Sequence, residues 1–359
     1  MTSASTQRPV AAVALALVLV VAVLSTGCST VGYYARSVGG HLAMLGSARP
    51  VADWLADPQT SPALKERLAL SQRIRDFAVT ELGEPDNASY RRYADLKRPA
   101  AVWNVVAAPE LSLTLQTWCF VVVGCVGYRG YYDLPTAEAF AAEQRAAGFE
   151  TSVYAVPAYS TLGTLPFAWL ADPLLNTFID YPEGELARLI FHELAHQVAY
   201  AAGDTGFNES FATAVERIGS ERWLATHASA DARTEFERSD ARRRDFRMLI
   251  AKYRAALDAL YRSDAPDAEK RSRKAALFEA LRAEHSTIKR ERWGGFSGYD
   301  GWFARANNAS LGVLAAYNEQ VPDFIRLFER SGGDFKRFYA EVKRLTALSP
   351  AERRAALAR

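Results

Sequence analysis

The chain has 359 residues, with 43 Lys and Arg against 41 Asp and Glu, a formal net charge of +2, and 49% hydrophobic residues. Charge this evenly balanced excludes the broad basic footprint of a nucleic-acid-binding protein, and no nucleic-acid partner is expected. The length beyond residue 27 suffices for one large or two moderate cores.

Residues 1–27 read as a targeting segment outside the fold. Arg8 and the amino terminus supply positive charge, and Val10 to Leu24 is an unbroken apolar run of 15 residues, short for a bilayer span. Ser25-Thr26-Gly27-Cys28 resembles a bacterial lipobox, in which Cys28 becomes the lipidated first residue of the mature chain. Ser25 stands where Leu is usual, so an anchor helix or ordinary cleavage is the alternative. Ser29, rather than Asp, after the Cys resembles lipoproteins of the outer membrane. The expected location is therefore the periplasmic side of the bacterial outer membrane, with lipid at Cys28 as the membrane contact. Losing residues 1–27 removes one Arg and leaves 42 basic against 41 acidic residues.

Residues 33–82 have helical apolar spacing, interrupted near Pro50 and Pro58, with Leu64, Leu68, Ile74, Phe77, Ala78 and Leu82 on one side. Residues 100–156 change period. Ala101 to Ala107, Leu113 to Val123 and Val126 to Tyr131, rich in Val, Thr and aromatics, read as strands. A helix over Ala137 to Ala147 and a strand over Glu150 to Val156 complete a small sheet placed beside the next segment. Cys119 and Cys125, six apart in an exported chain, are expected to close a hairpin as a disulfide, with two buried thiols as the alternative. Their spacing is not that of a zinc knuckle. Pro157 to Thr164 and Asp172 to Asn176 read either as a short exposed strand lining a cleft or as ordinary loop.

Leu189-Ile190-Phe191-His192-Glu193-Leu194-Ala195-His196-Gln197-Val198 carries the chemistry. Two imidazoles four residues apart lie on one helical face and reach a single ion, while Glu193 is turned toward whatever the ion holds. This His-Glu-x-x-His pattern has a chance frequency on the order of 0.004 in a chain of this composition. Apolar residues at helical spacing run from about Pro182 to Ala202, with Gly203 as the stop. Catalytic zinc takes three protein ligands and leaves a position for water. After a turn at Gly203 to Gly206, a second helix brings Glu209 and Glu216, seven apart on one face, and either could approach the metal. The metal-site helices span residues 182–220.

Residues 221–359 read as a mainly helical cap, broken at Ser263-Asp264-Ala265-Pro266 and at a Gly-rich loop from Trp293 to Trp302. The run Arg242-Arg243-Arg244 reads as a solvated helix face. A developing oxyanion needs a donor opposite the metal, and Tyr317 is preferred for that role over Tyr299 and His227. A free substrate amino terminus calls for a carboxylate, with Asp172 and Glu183 as candidates.

Gly32-Tyr33-Tyr34, Trp103-Asn104-Val105-Val106-Ala107-Ala108-Pro109-Glu110, Tyr128-Arg129-Gly130-Tyr131, Tyr159-Ser160-Thr161-Leu162-Gly163, Phe191 to Gln197 and Asn208-Glu209-Ser210-Phe211-Ala212 resemble the putative aminopeptidase family of bacterial lipoproteins. The Asn208-Glu209 context is similar to the second helix of the gluzincin metallopeptidases. That resemblance implies Glu209 as the third ligand of a zinc on His192 and His196; Glu216 then reads as orienting an imidazole, and Glu193 as the base. It implies an α+β, mostly helical zincin-like metallopeptidase over residues 28–359, hydrolysing peptides as an aminopeptidase. The alternatives are a zinc endopeptidase and a non-catalytic, zinc-stabilised envelope lipoprotein. The stretch Thr164 to Leu170 looks longer than the family pattern.

Overall fold

The computed structural model describes residues 32–120, 124–158, 170–314 and 320–358. The leader with Cys28, most of the Pro157 to Thr164 stretch, nearly all of Thr164 to Leu170, and Tyr317 lie outside the described residues.

Helices dominate and the sheets are small, an α+β arrangement. Helix α1 (32–46) leads through β1 (Arg49–Pro50) into α2 (Val51–Ala56) and α3 (Pro62–Thr80). The breaks fall at the two prolines because proline lacks an N–H and restrains the residue before it. Ser61 caps α3, its hydroxyl accepting from the Leu64 N–H, with Pro62 in the first turn where no N–H is needed.

β2 (Arg92–Ala94) pairs antiparallel with β1 and parallel with β8 (Leu174–Leu175). These two- and three-residue strands carry no periodicity from which a sequence pattern could expose them. The larger sheet has β3 (Val102–Pro109) at its centre. Before β6 (Arg129–Tyr131) comes a hairpin of β4 (Trp118–Phe120) and β5 (Gly124–Val126); α4 (Leu134–Ala146) and β7 (Phe149–Val156) follow. β3 pairs antiparallel with both β6 and β7, and helices cover both of its faces: Val105 packs against Ala137 and Ala141 of α4, Val106 and Ala108 against Ala309. The expected strand over Leu113 to Val123 is realised among the described residues only at 118–120, and Val126 to Tyr131 is split between β5 and β6. Residues 111–117 instead run as loop beside β3, where the Gln116 N–H donates to the Ala107 carbonyl at 2.8 Å.

α5 (Glu183–Val198) and α6 (Thr205–Thr226) form an antiparallel pair. Then come α7 (Ala230–Arg262), α8 (Asp267–Glu291), α9 (Asp300–Ala304), α10 (Asn308–Val313), α11 (Val321–Arg330), α12 (Phe335–Thr346) and α13 (Pro350–Leu357). The helical region after residue 221 divides between two cores. Leu249, Ile250, Leu257, Phe278 and Leu281 bury between α7 and α8 with Phe303 and Leu311, whereas Phe324, Phe338 and Leu345 of α11 and α12 join the main core around α5 and α6. The run 242–244 is only partly solvated. Arg243 pairs with Glu185 at 2.5 Å, and Arg242 lies over the Phe296 ring at 4.3 Å.

Candidate metal centre

α5 ends at Val198 because Ala199 turns extended at φ −151°, and Gly203 takes the left-handed φ of +78° that reverses the chain. The reversal is clamped at Asn208, whose Oδ1 accepts from the Ala201 N–H at 2.7 Å and whose Nδ2 donates to the Ala201 carbonyl at 2.9 Å. Asp204 caps α6 by accepting from the Phe207 N–H at 3.1 Å. Further along, Gly219 lets the helices meet: a Cβ there would lie 2.9 Å from the Phe191 ring and 2.6 Å from Leu82. A close, clamped pair places the α6 carboxylates against the α5 imidazoles.

The resulting group is compact. One donor atom each from His192, His196 and Glu209 lies within 4.8 Å of the others. His192 Nε2 and His196 Nε2 are 3.2 Å apart, and Glu209 oxygens lie 3.3 Å from the first and 3.8 Å from the second. Donors about 2.0–2.1 Å from one tetrahedral ion would stand about 3.3–3.4 Å from each other. The donor set therefore fits a metal ion.

Charge around the group is asymmetric. Burial opposes a charged His192, yet bonds and charge from Glu209 and Glu216 hold it well above the ordinary imidazole value; burial, with His192 beside it, brings His196 down to about 4. Glu216 accepts from His192 Nδ1 at 2.9 Å and from Arg188, which also reaches Asp240 at 3.5 Å. Burial would raise the Glu216 carboxyl, but the Arg188 charge and the His192 bond hold it at about 2. A fixed anion on Nδ1 leaves Nε2 of His192 facing the group, the orientation a metal-ligating imidazole requires. Arg188 was not singled out from sequence; its position four residues before His192, on the same face, is the signal that could have found it.

Glu193 is half-buried on the same helix. Desolvation drives its carboxyl up to about 7, with His192 opposing and Glu209, Asp172 and Glu216 adding to the rise. Gln197 braces this end of α5, accepting from Asn87 Nδ2 at 2.7 Å and donating to Ser89 Oγ at 3.1 Å. That loop is held in turn by Arg75 of α3, which donates to the Ser89 carbonyl at 3.0 Å and the Pro85 carbonyl at 2.6 Å.

Several expectations divide here. Asp172 is buried, accepts from Gln197 at 3.4 Å and lies close enough to Glu193 to raise it. Glu183 does not reach the group. It accepts from Trp223 Nε1 at 2.9 Å and sits nine residues before His192, about 13 Å along the helix. His227 stacks on Trp223 at 4.5 Å, about 27 Å along α6 from Glu209, and Tyr299 stacks on Phe246 at 4.7 Å in the α7–α8 core. Neither stands opposite the donors. Two unforeseen phenols do sense the group: burial raises Tyr154 on β7 and Tyr200 after α5, and the Glu209 charge adds to both. Cys119 and Cys125 face one another across β4 and β5 and are joined by a disulfide.

The profile of the putative aminopeptidase family matches residues 32–357, and the chain belongs to that family. The family's description points to peptidase activity. No curated protein and no solved structure matches the chain.

Proposed function

We propose that the chain is a zinc-dependent peptidase of zincin-like architecture, acting as an aminopeptidase from a lipid anchor at Cys28 on the periplasmic side of the outer membrane. The observation that supports the chemistry most is the convergence of His192, His196 and Glu209 beside the desolvated carboxyl of Glu193. Two imidazoles and a carboxylate suit zinc, and three donors among the described residues leave a coordination position for water. His192 and His196 would hold the ion through Nε2 and Glu209 through its carboxylate. Zinc bound there supplies a Lewis acid for the scissile carbonyl and lowers the pKa of water toward neutrality. Glu193 acts as the base, taking a water proton on a carboxylate oxygen and delivering it to the leaving amine. Glu216 and Arg188 keep the His192 ring turned toward the group. Tyr317 is the proposed donor to the oxyanion, and Asp172, whose charge reaches Glu193, the proposed acid for a free amino terminus.

Aminopeptidase action rests on family membership, and the test separates it from endopeptidase action and from a non-catalytic role. Purified protein is offered matched peptides with free and acetylated amino termini. Release of the first residue from the free peptide alone is expected. Equal internal cleavage of both peptides would make the protein an endopeptidase, and no zinc-dependent cleavage across a broad peptide library would make the site structural.

A further inference from the structure

The exposed side of α1 is apolar. Ala35, Val38, Gly39, Leu42, Ala43 and Gly46 recur at helical spacing and are all exposed, Val38 at 56% and Leu42 at 46%. The opposite side packs inward through Met44, which is buried, and Tyr33, whose ring lies 5.7 Å from Phe120 and 5.6 Å from Tyr131. Arg36, at the margin of the stripe, is the single charged residue of the helix. A surface helix of a soluble domain ordinarily turns its polar face to water. Here Arg36 is the one polar side chain among the exposed residues of the helix, so this face is built for an apolar partner.

The chain preceding α1 identifies the partner. Cys28 lies four residues before the helix begins, and four residues span at most about 14 Å when fully extended. A lipid on Cys28 therefore holds the start of α1 against the bilayer. No helix among the described residues is long and apolar enough to cross a membrane, and at about 22 Å α1 falls short of a hydrocarbon core of about 30 Å. Such a helix meets a membrane along its surface. Its surroundings suit the interface: Tyr128 is exposed, and Arg129 lies over the Tyr33 ring at 4.1 Å.

We propose that the exposed face of α1, centred on Val38 and Leu42, lies in the surface of a phospholipid bilayer and sets the orientation of the peptidase domain on it. This rests on the proposed anchoring at Cys28. The contact adds a second attachment to the acyl chains and fixes which side of the domain looks away from the membrane.

The test uses the full-length lipidated protein in vesicles of phosphatidylethanolamine and phosphatidylglycerol. A fluorophore is placed by V38C, L42C or, as the control, M248C at an exposed position of α7, and quenching by nitroxide lipids is read. Labels at 38 and 42 should be quenched at least about threefold more than the label at 248, as for an interfacial helix. Adding V38E to the L42C protein should remove that excess, since the substituted position is exposed and the fold does not depend on it. Equal quenching at all three positions, in protein that floats with the vesicles, overturns the proposal and leaves the anchor standing. Excess quenching that survives V38E would mean that the label itself drives insertion, which also overturns it. Protein that fails to float removes the anchor and this proposal together, while the peptide-cleavage test is unaffected.

Discussion

The pairs α5–α6 and α7–α8 are both antiparallel helices around an apolar seam, and they place charge oppositely. Between α5 and α6 the ionisable groups Arg188, His192, Glu193, His196, Glu209 and Glu216 are turned inward. Along α7 and α8 the charges mostly face water in pairs one turn apart, such as Arg262 with Asp258 and Arg273 with Glu269. Inward charges lose hydration that their partners only partly replace, so an apolar seam would have been the more stable solution. Along α7–α8 the buried ionisable groups Asp245, Lys274 and His285 are scattered, whereas six converge between α5 and α6, which makes that seam the candidate functional site.

The comparison can be broken first at the donors. His196→Ala should lower zinc affinity by about 10²-fold or more, measured by chelator competition, as three ligands become two. If Glu209→Ala keeps its zinc and Glu216→Ala loses it, the two carboxylates exchange roles. A second test concerns what the pairs share. Phe191 and Leu281 are each fully buried, one in each seam, so Phe191→Ala should cost about 3–5 kcal/mol and Leu281→Ala about 2–5 kcal/mol in urea unfolding. A tolerant seam at either position would mean that the pair is held by other contacts.

Glu216→Gln sharpens the contrast, because it removes the anion on His192 Nδ1 and keeps the shape. It should weaken zinc binding by about 10- to 100-fold and, because Arg188 loses its nearest buried anion, lower the unfolding midpoint as well. Arg273→Ala breaks an exposed pair of α8 and should change stability by less than about 0.5 kcal/mol and zinc content not at all. A large loss there would show that charge on α7–α8 is more than solvation.

Legibility followed the length of the pattern. The metal helix, expected over 182–202, spans Glu183–Val198, and the break expected at 263–266 separates Arg262 from Asp267, because long apolar periods bounded by Gly, Pro or Ser leave few alternatives. β1 and β2 were invisible, since two or three residues define no period, while β8 falls in the stretch from Asp172 to Asn176 that read as an exposed strand or a loop, and is buried. At the site, His192, His196 and Glu209 could be read because ligand chemistry constrains residue type and spacing together. Asp172 reaches the group by tertiary packing and Arg188 by its place one turn before His192 on the same helix, while Glu183 and His227, equally plausible by type, are carried away by helix length. A residue's type was legible; its distance along a rigid helix decided whether it took part.

The claim at the centre of this account is that Glu193 moves the proton while His192, His196 and Glu209 hold the ion. Glu193→Gln, isosteric and unable to accept that proton, separates the two roles. Zinc content and peptide turnover are measured on the same preparation of wild type and variant. The account predicts about one zinc per chain in both, with turnover lower by at least about 10²- to 10⁴-fold in the variant. Equal turnover at equal zinc would contradict it.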